Sequence, residues 1–140
     1  MNDADLLALP ARDLTAHQPP ALLVERVLSL RPGGGRVAVS PHQGLDALQL
    51  CEASAQALAI LMGVRVRRSG LGTRAGGMLV GAKRFTCRRD ALADEVLAVE
   101  CDSEQEFGGL QLHRVRVLAG EDEIAVGELK TLAGAEGGPA

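Results

Sequence analysis

At 140 residues, 46% of them apolar and 24% charged, the chain is long enough for one hydrophobic core and too short for two. Its 15 Lys and Arg against 18 Asp and Glu leave a net charge of −3, and two Phe with no Trp or Tyr offer no surface for stacking bases, which argues against a nucleic-acid partner. The start, Met-Asn-Asp-Ala-Asp, is acidic where a secretory signal is basic, and Asp46, Gln49, Glu52 and Gln56 interrupt the longest apolar run. With no run reaching the roughly 18 residues of a membrane span, a cytoplasmic protein without a membrane partner is expected. Cys51, Cys87 and Cys101 are odd in number and widely spaced, so they suggest small buried thiols, with neither a disulfide framework nor a metal site.

In chain order, residues 2–14 carry Leu6, Leu7, Leu9 and Leu14 around Pro10, which suits a helical turn followed by a loop. Pro19 and Pro20 then impose an extended approach to residues 21–30, whose branched side chains read as a strand ended by Arg-Pro-Gly-Gly-Gly. Residues 36–40 read as its hairpin partner. Residues 44–65 contain no proline, are dense in Ala and Leu, and have Asp46 near the start and Gly63 near the end, the signature of one long helix. Its apolar residues spread round most of the circumference, as in a buried helix. Apart from Ser54, polarity is confined to Gln49, Glu52 and Gln56, within about 60° of one another, with Asp46 on the same side. Such a seam either faces a partly dry space, where a carboxylate needs partners, or is a wet stripe.

After the helix, Arg65, Arg67 and Arg68 with Gly70, Gly72, Gly76 and Gly77 form a basic, glycine-rich connection. It lacks the strand-then-helix context of a phosphate loop, although a positive loop beside a pocket suits an anionic substrate or carrier. Four strands are expected over 78–87, 95–101, 110–118 and 124–132, joined as a meander by turns at 90–94, 103–109 and 119–123. In 110–118 the apolar alternation passes from Leu110 and Leu112 to Val115 and Val117, which suggests a bulge or a strand that crosses from one environment to another, and His113 among arginines reads as a surface or interface residue. Residues 133–140 read as a disordered tail. The expected architecture is a single α+β domain over 1–132, an antiparallel sheet of about six strands curled around one central helix. An open sheet edge invites a second subunit.

Three stretches, His-Gln-Pro-Pro-Ala-Leu-Leu-Val-Glu-Arg-Val (17–27), Glu-Ala-Ser-Ala-Gln-Ala (52–57) and Gly-Met-Leu-Val-Gly-Ala-Lys-Arg-Phe (77–85), in this order resemble the hotdog-fold β-hydroxyacyl-[acyl-carrier-protein] dehydratases. Within them the chain is most similar to the ApeP-like branch associated with aryl polyene pigment synthesis. The resemblance implies elimination of water from a β-hydroxyacyl thioester on the phosphopantetheine arm of an acyl carrier protein, without a further cofactor. A histidine would take the proton α to the thioester and a carboxyl group would protonate the departing hydroxyl. Glu52 matches the helix carboxylate. His17 matches an early histidine segment, and His42 holds the nearest position to the usual His-Phe-Pro-Gly loop, whose Phe-Pro-Gly this chain lacks. Gln49, Gln56, Gly77, Met78 and Leu79 would line the substrate's path. The missing loop also fits a non-catalytic subunit of a heterodimer, and relatives of the fold hydrolyse thioesters; no Gly-x-Ser-x-Gly nucleophile is present.

Overall fold

The structure is a computed structural model that describes residues 3–10, 22–69 and 78–132. A short helix α1 (Asp3–Ala8) precedes strands β1 (Val24–Arg31) and β2 (Gly34–Val39), the long helix α2 (Ala47–Ser69), and strands β3 (Met78–Cys87), β4 (Leu97–Phe107), β5 (Leu110–Ala119) and β6 (Asp122–Leu132). Every strand pairing is antiparallel, in one six-stranded sheet of order β1-β2-β4-β5-β6-β3. The α+β expectation of a six-stranded sheet with one long central helix is met, but the last four strands are not a simple meander. Helix α2 carries the chain across the sheet, so β3 pairs with β6 at the far edge and β4 enters between β2 and β5. The expected tail, 133–140, lies outside the described residues.

Local chemistry explains the turns. Pro32 and Gly33, with Gly33 at φ +77°, close β1 on β2, and Gly108 and Gly109, at φ +53° and +90°, close β4 on β5. Strand β4 runs to Phe107, through Ser-Glu-Gln-Glu that the sequence reading made a turn. Those polar residues are exposed, and a strand tolerates them because its hydrogen bonds use only backbone.

Helix α2 lies on the concave face of the sheet. Leu50, Ala53, Ala57, Ile60 and Val64 meet Val37, Val99, Val117, Ala125 and Leu129, each at most 1% exposed. Each large side chain buried there contributes roughly 1.5–3 kcal/mol. The helix is not buried all round: Ala47, Leu48, Gln49 and Glu52 are exposed, Leu48 at 79%. Contrary to the sequence reading, residues 47–65 are long and apolar enough to cross a bilayer by length and composition. Packed against the sheet, they form a core helix. On the convex face Arg31, Arg36 and Arg116 converge on Glu100, with Arg36 at 2.6 Å. The Arg36 bond foremost, aided by Arg116, holds the Glu100 carboxyl below the usual carboxylate range against the opposing effect of its partial burial.

Strand β5 runs unbroken from Leu110 to Val117 against β6, but against β4 the register shifts between Ser103 and Gln105, opposite His113 and Leu112, where the alternation changes. A second irregularity falls between Val117 and Leu118. The core face of β5 is therefore His113, Val115 and Val117, while Leu110 and Leu112 face outward half-buried. His113 is not a surface residue. It is 1% exposed, with Nε2 3.0 Å from Thr131 Oγ1. Burial first, and the charge of Arg65 second, push its pKa down from 6.5 to about 4.

Because this imidazole is held neutral in the fold, the unfolded chain binds the extra proton. Its contribution to stability is complete above pH 6.5 and is lost as pH falls toward 4, by up to about 3 kcal/mol. Urea unfolding at pH 7 and pH 4.5 is expected to show this loss, and His113→Leu is expected to flatten it.

Candidate functional site

The polar residues of α2 descend from water into the core. At the top is a reciprocal cap: Gln49 N–H donates to Asp46 Oδ1 at 2.9 Å and Asp46 N–H donates to Gln49 Oε1 at 3.0 Å. This Asp-x-x-Gln capping box satisfies two amide donors at the helix start. The Gln49 side-chain oxygen is thus engaged in the cap, and the residue is exposed. The spacing of Asp46 and Gln49 was a signal for the cap in the sequence.

One turn deeper stands Glu52, exposed in the single chain, and one further turn deeper Gln56, 0% exposed. Of the two readings of the polar seam, the wet one holds for the carboxyl, which is at the surface, while its carboxamide neighbour is the buried group. The two are joined: Gln56 Nε2 donates to Glu52 Oε1 at 3.1 Å. Gln56 Oε1 accepts the Leu23 N–H at 2.6 Å, while the Leu23 carbonyl accepts the Ser40 N–H at 2.9 Å. The side chain of Gln56 thereby takes the place of a strand partner just before β1. Nothing in the sequence signals this link, since it joins residues 33 positions apart. Cys51, beside Glu52, has its thiol pKa raised by burial first and by the Glu52 charge second.

The start of α2 is braced from outside. A bridge between Leu45 and Ala91 seats the segment before the helix on the loop between β3 and β4. That loop is closed by a two-pronged ion pair, Arg89 Nη1 and Nη2 at 2.9 and 2.8 Å from the two oxygens of Glu95. Glu95 Oε1 also accepts the Leu92 N–H, and Arg89 foremost drives the Glu95 pKa down to about 2.

His42 belongs to this brace. Gly44 N–H donates to its Nδ1 at 3.0 Å, which makes Nδ1 the unprotonated nitrogen; Nε2–H then donates to the Glu95 carbonyl at 2.8 Å. With both ring nitrogens committed to backbone, His42 holds the loop and does not touch Glu52. His17 and Gly77 lie outside the described residues. Met78 and Leu79 open β3 opposite Leu132 and Thr131. The other end of β3, Cys87, is nine residues away, about 30 Å along the strand, and leads directly to the loop bracing α2. One chain therefore sets Met78 and Leu79 at the end of the sheet away from the start of α2 and does not bring them to Glu52. Among the described residues no cluster of His, Cys, Asp or Glu could hold a metal ion.

A family model described as ApeP dehydratase, of the ApeP-like family, matches residues 9–137. No curated protein is significantly similar in sequence. Among solved structures, a chain of the dehydratase heterocomplex ApeI:P from Xenorhabdus doucetiae superposes with a TM-score of 0.77 at 17% identity, over 89% of this chain and 91% of that one. The uncharacterized protein PH1136 from Pyrococcus horikoshii gives 0.64 at 12% identity, over 89% and 94%. The E. coli PaaI protein from the phenylacetic acid degradation operon gives 0.59 at 12% identity, over 76% and 77%. At these identities the structures speak for the fold alone, the hotdog, a curled antiparallel sheet around one helix. The family match spans nearly the whole chain and carries the more specific conclusion: the chain belongs to the ApeP-like dehydratase family.

Proposed function

We propose that this protein eliminates water from β-hydroxyacyl thioesters presented on the phosphopantetheine arm of an acyl carrier protein, in the cytoplasm. The observation that carries the reading is Glu52, on the central helix of a chain of the dehydratase family, held by the Gln56 carboxamide. A base removes the α-proton as the Cα–H bond breaks. Glu52 then gives its proton to the β-hydroxyl as the C–O bond breaks, so that an enoyl thioester and water leave. The chemistry needs no metal or redox group, and the arm belongs to the carrier. With His42 tied to backbone, His17 is the base of this reading.

The reading includes a second hotdog subunit, for two reasons. Glu52 is exposed in the single chain, and a covering subunit would close the site around it from water. Strand β3 is also an edge of the sheet among the described residues. Antiparallel pairing of two such edges sets the beginning of one strand beside the end of the other. That would bring a partner's counterparts of Met78 and Leu79 to the Glu52 end.

The heterocomplex among the structural neighbours and the committed ring of His42 also support a second reading, in which this chain is the non-catalytic half of a heteromeric dehydratase. Assayed with a β-hydroxyacyl thioester, the protein is expected to generate enoyl absorbance without free thiol; thiol without enoyl would mean hydrolysis. Glu52→Gln is expected to lower turnover by roughly 10²–10⁴-fold with an unchanged circular dichroism spectrum. Undiminished turnover in an active complex would make this chain the passive half. The histidines separate in the same assay. His17→Ala is expected to lose turnover at unchanged stability, and His42→Ala to keep turnover per folded molecule while losing about 1–3 kcal/mol in urea unfolding.

A further inference from the structure

We infer that the edge strand β3 is built to reject a second copy of this chain and to accept an unlike hotdog subunit whose facing strand is acidic. The inference deepens the part of the dehydratase reading that calls for a covering subunit, and it rests on that part. The argument begins with the charges of the strand. Residues 78–87 read Met-Leu-Val-Gly-Ala-Lys-Arg-Phe-Thr-Cys, with two cations and no acid. Lys83 and Arg84 are exposed, the Arg84 side chain at 73%. Glu128 of β6 answers both, opposite Lys83 in register and 3.7 Å from Arg84. It also stands opposite Arg114 of β5, and Lys130 follows two residues on, opposite Gly81. Glu104 joins Arg84, Arg114 and Glu128 around a groove on the outer face, while Asp102, opposite Arg114, is taken by Arg31 at 2.7 Å. Two carboxylates thus stand among four cations, and this rim of the sheet is left positive.

Two-fold symmetry turns that charge against self-pairing. A second copy added antiparallel along the whole strand puts the axis at one of its two middle residues, Ala82 or Lys83. With the axis at Lys83 the two lysines stand directly opposite; with it at Ala82 they lie on one diagonal, roughly 7–8 Å apart. Both separations fall within the screening length of about 8–10 Å at moderate salt, so the repulsion is felt. The backbone adds to it. The register shifts between Leu79 and Gly81 and between Lys83 and Thr86, and Arg84 sits at φ +56°, where a residue other than glycine is strained. Cations and bulges are the devices by which an edge strand resists indiscriminate pairing. An unlike subunit with Asp or Glu at the facing positions meets opposite charge instead, so the residues that weaken the self-pair strengthen the mixed one.

The test needs no substrate, and its stand-in for the acidic partner is a charge-reversed copy of the full chain, Lys83→Glu/Arg84→Glu. In sedimentation velocity the wild type alone is expected to stay monomeric, or to dimerise at least about 10-fold more weakly than Lys83→Gln/Arg84→Gln. An equimolar mixture of wild type and charge-reversed copy is expected to dimerise at least about 10-fold more tightly than either alone, with the gain shrinking as salt is raised. Amide hydrogen exchange in the mixture should slow over residues 78–87, which locates the contact at β3. Both variants should melt near the wild-type temperature, since the substituted side chains are exposed. The inference is overturned if the wild type dimerises as tightly as the neutral variant, if the mixture gains nothing, if protection appears elsewhere than β3, or if no combination associates. If the expected pairing is seen and the protein dehydrates no thioester, the dehydratase reading is what fails, and the charge selection at β3 stands.

Discussion

Everything in this fold follows from the need of α2 to bury one side in the trough of a curled sheet. The helix's own polarity sets how far that burial can go. Leu50, Ala53, Ala57, Ile60 and Val64 point inward and are removed from water. The opposite side at the helix start, with Leu48 and Glu52, is left in the open. The sheet supplies its half through valines at alternate positions, Val37, Val99 and Val117, adjacent in register across three strands. Where β6 passes β3 there is no room for a side chain at Gly127: a Cβ there would stand 2.7 Å from the Phe85 Cα. Phe85, and Cys87 beyond it, pack half-buried against the core from the sheet's edge.

A long helix in a trough can still slide or rotate, and polar contacts at its start remove that freedom. The Asp46–Gln49 box ends the helix cleanly, and the Leu45–Ala91 bridge and the Arg89–Glu95 pair fix it to the β3–β4 loop. Surface ion pairs as a class contribute little to stability. The value of this one lies in its geometry, since two parallel N–H···O bonds define an orientation and not merely a distance. Glu95 then offers its backbone carbonyl to His42, so one residue holds the loop closed with its side chain and holds the imidazole with its main chain.

The sequence was most legible where periodicity decides the outcome. Residues 44–65 read as a long helix because nothing in them breaks one, and the strand cores read correctly because Val and Ile recur at alternate positions. It was least legible where a residue's role is set by something distant. His113 looks like a surface residue between arginines, yet the register with β4 and β6 turns it inward, away from the faces that Arg114 and Arg116 occupy. The order of strands is invisible locally, because the pairing of β3 with β6 depends on where a helix of 23 residues sets the chain down. The family resemblance named Glu52 and Gln56 together, but which of the two is buried is a fact of packing.

That inversion bears on how the proposed chemistry is controlled. Burying the carboxamide and exposing the carboxyl lets one chain fold without a desolvated charge in its core, a state that would cost several kcal/mol without a compensating partner. On the proposed reading, the exclusion of water from the carboxyl is deferred until a second subunit covers the helix start. The single chain then keeps an ordinary folded stability, and the site closes only in the assembly. Gln56, already buried and bonded to Leu23, ties the turn of α2 that carries Glu52 to the start of β1 before any partner arrives. The covering subunit would then change the dielectric around the carboxyl without having to rebuild its geometry.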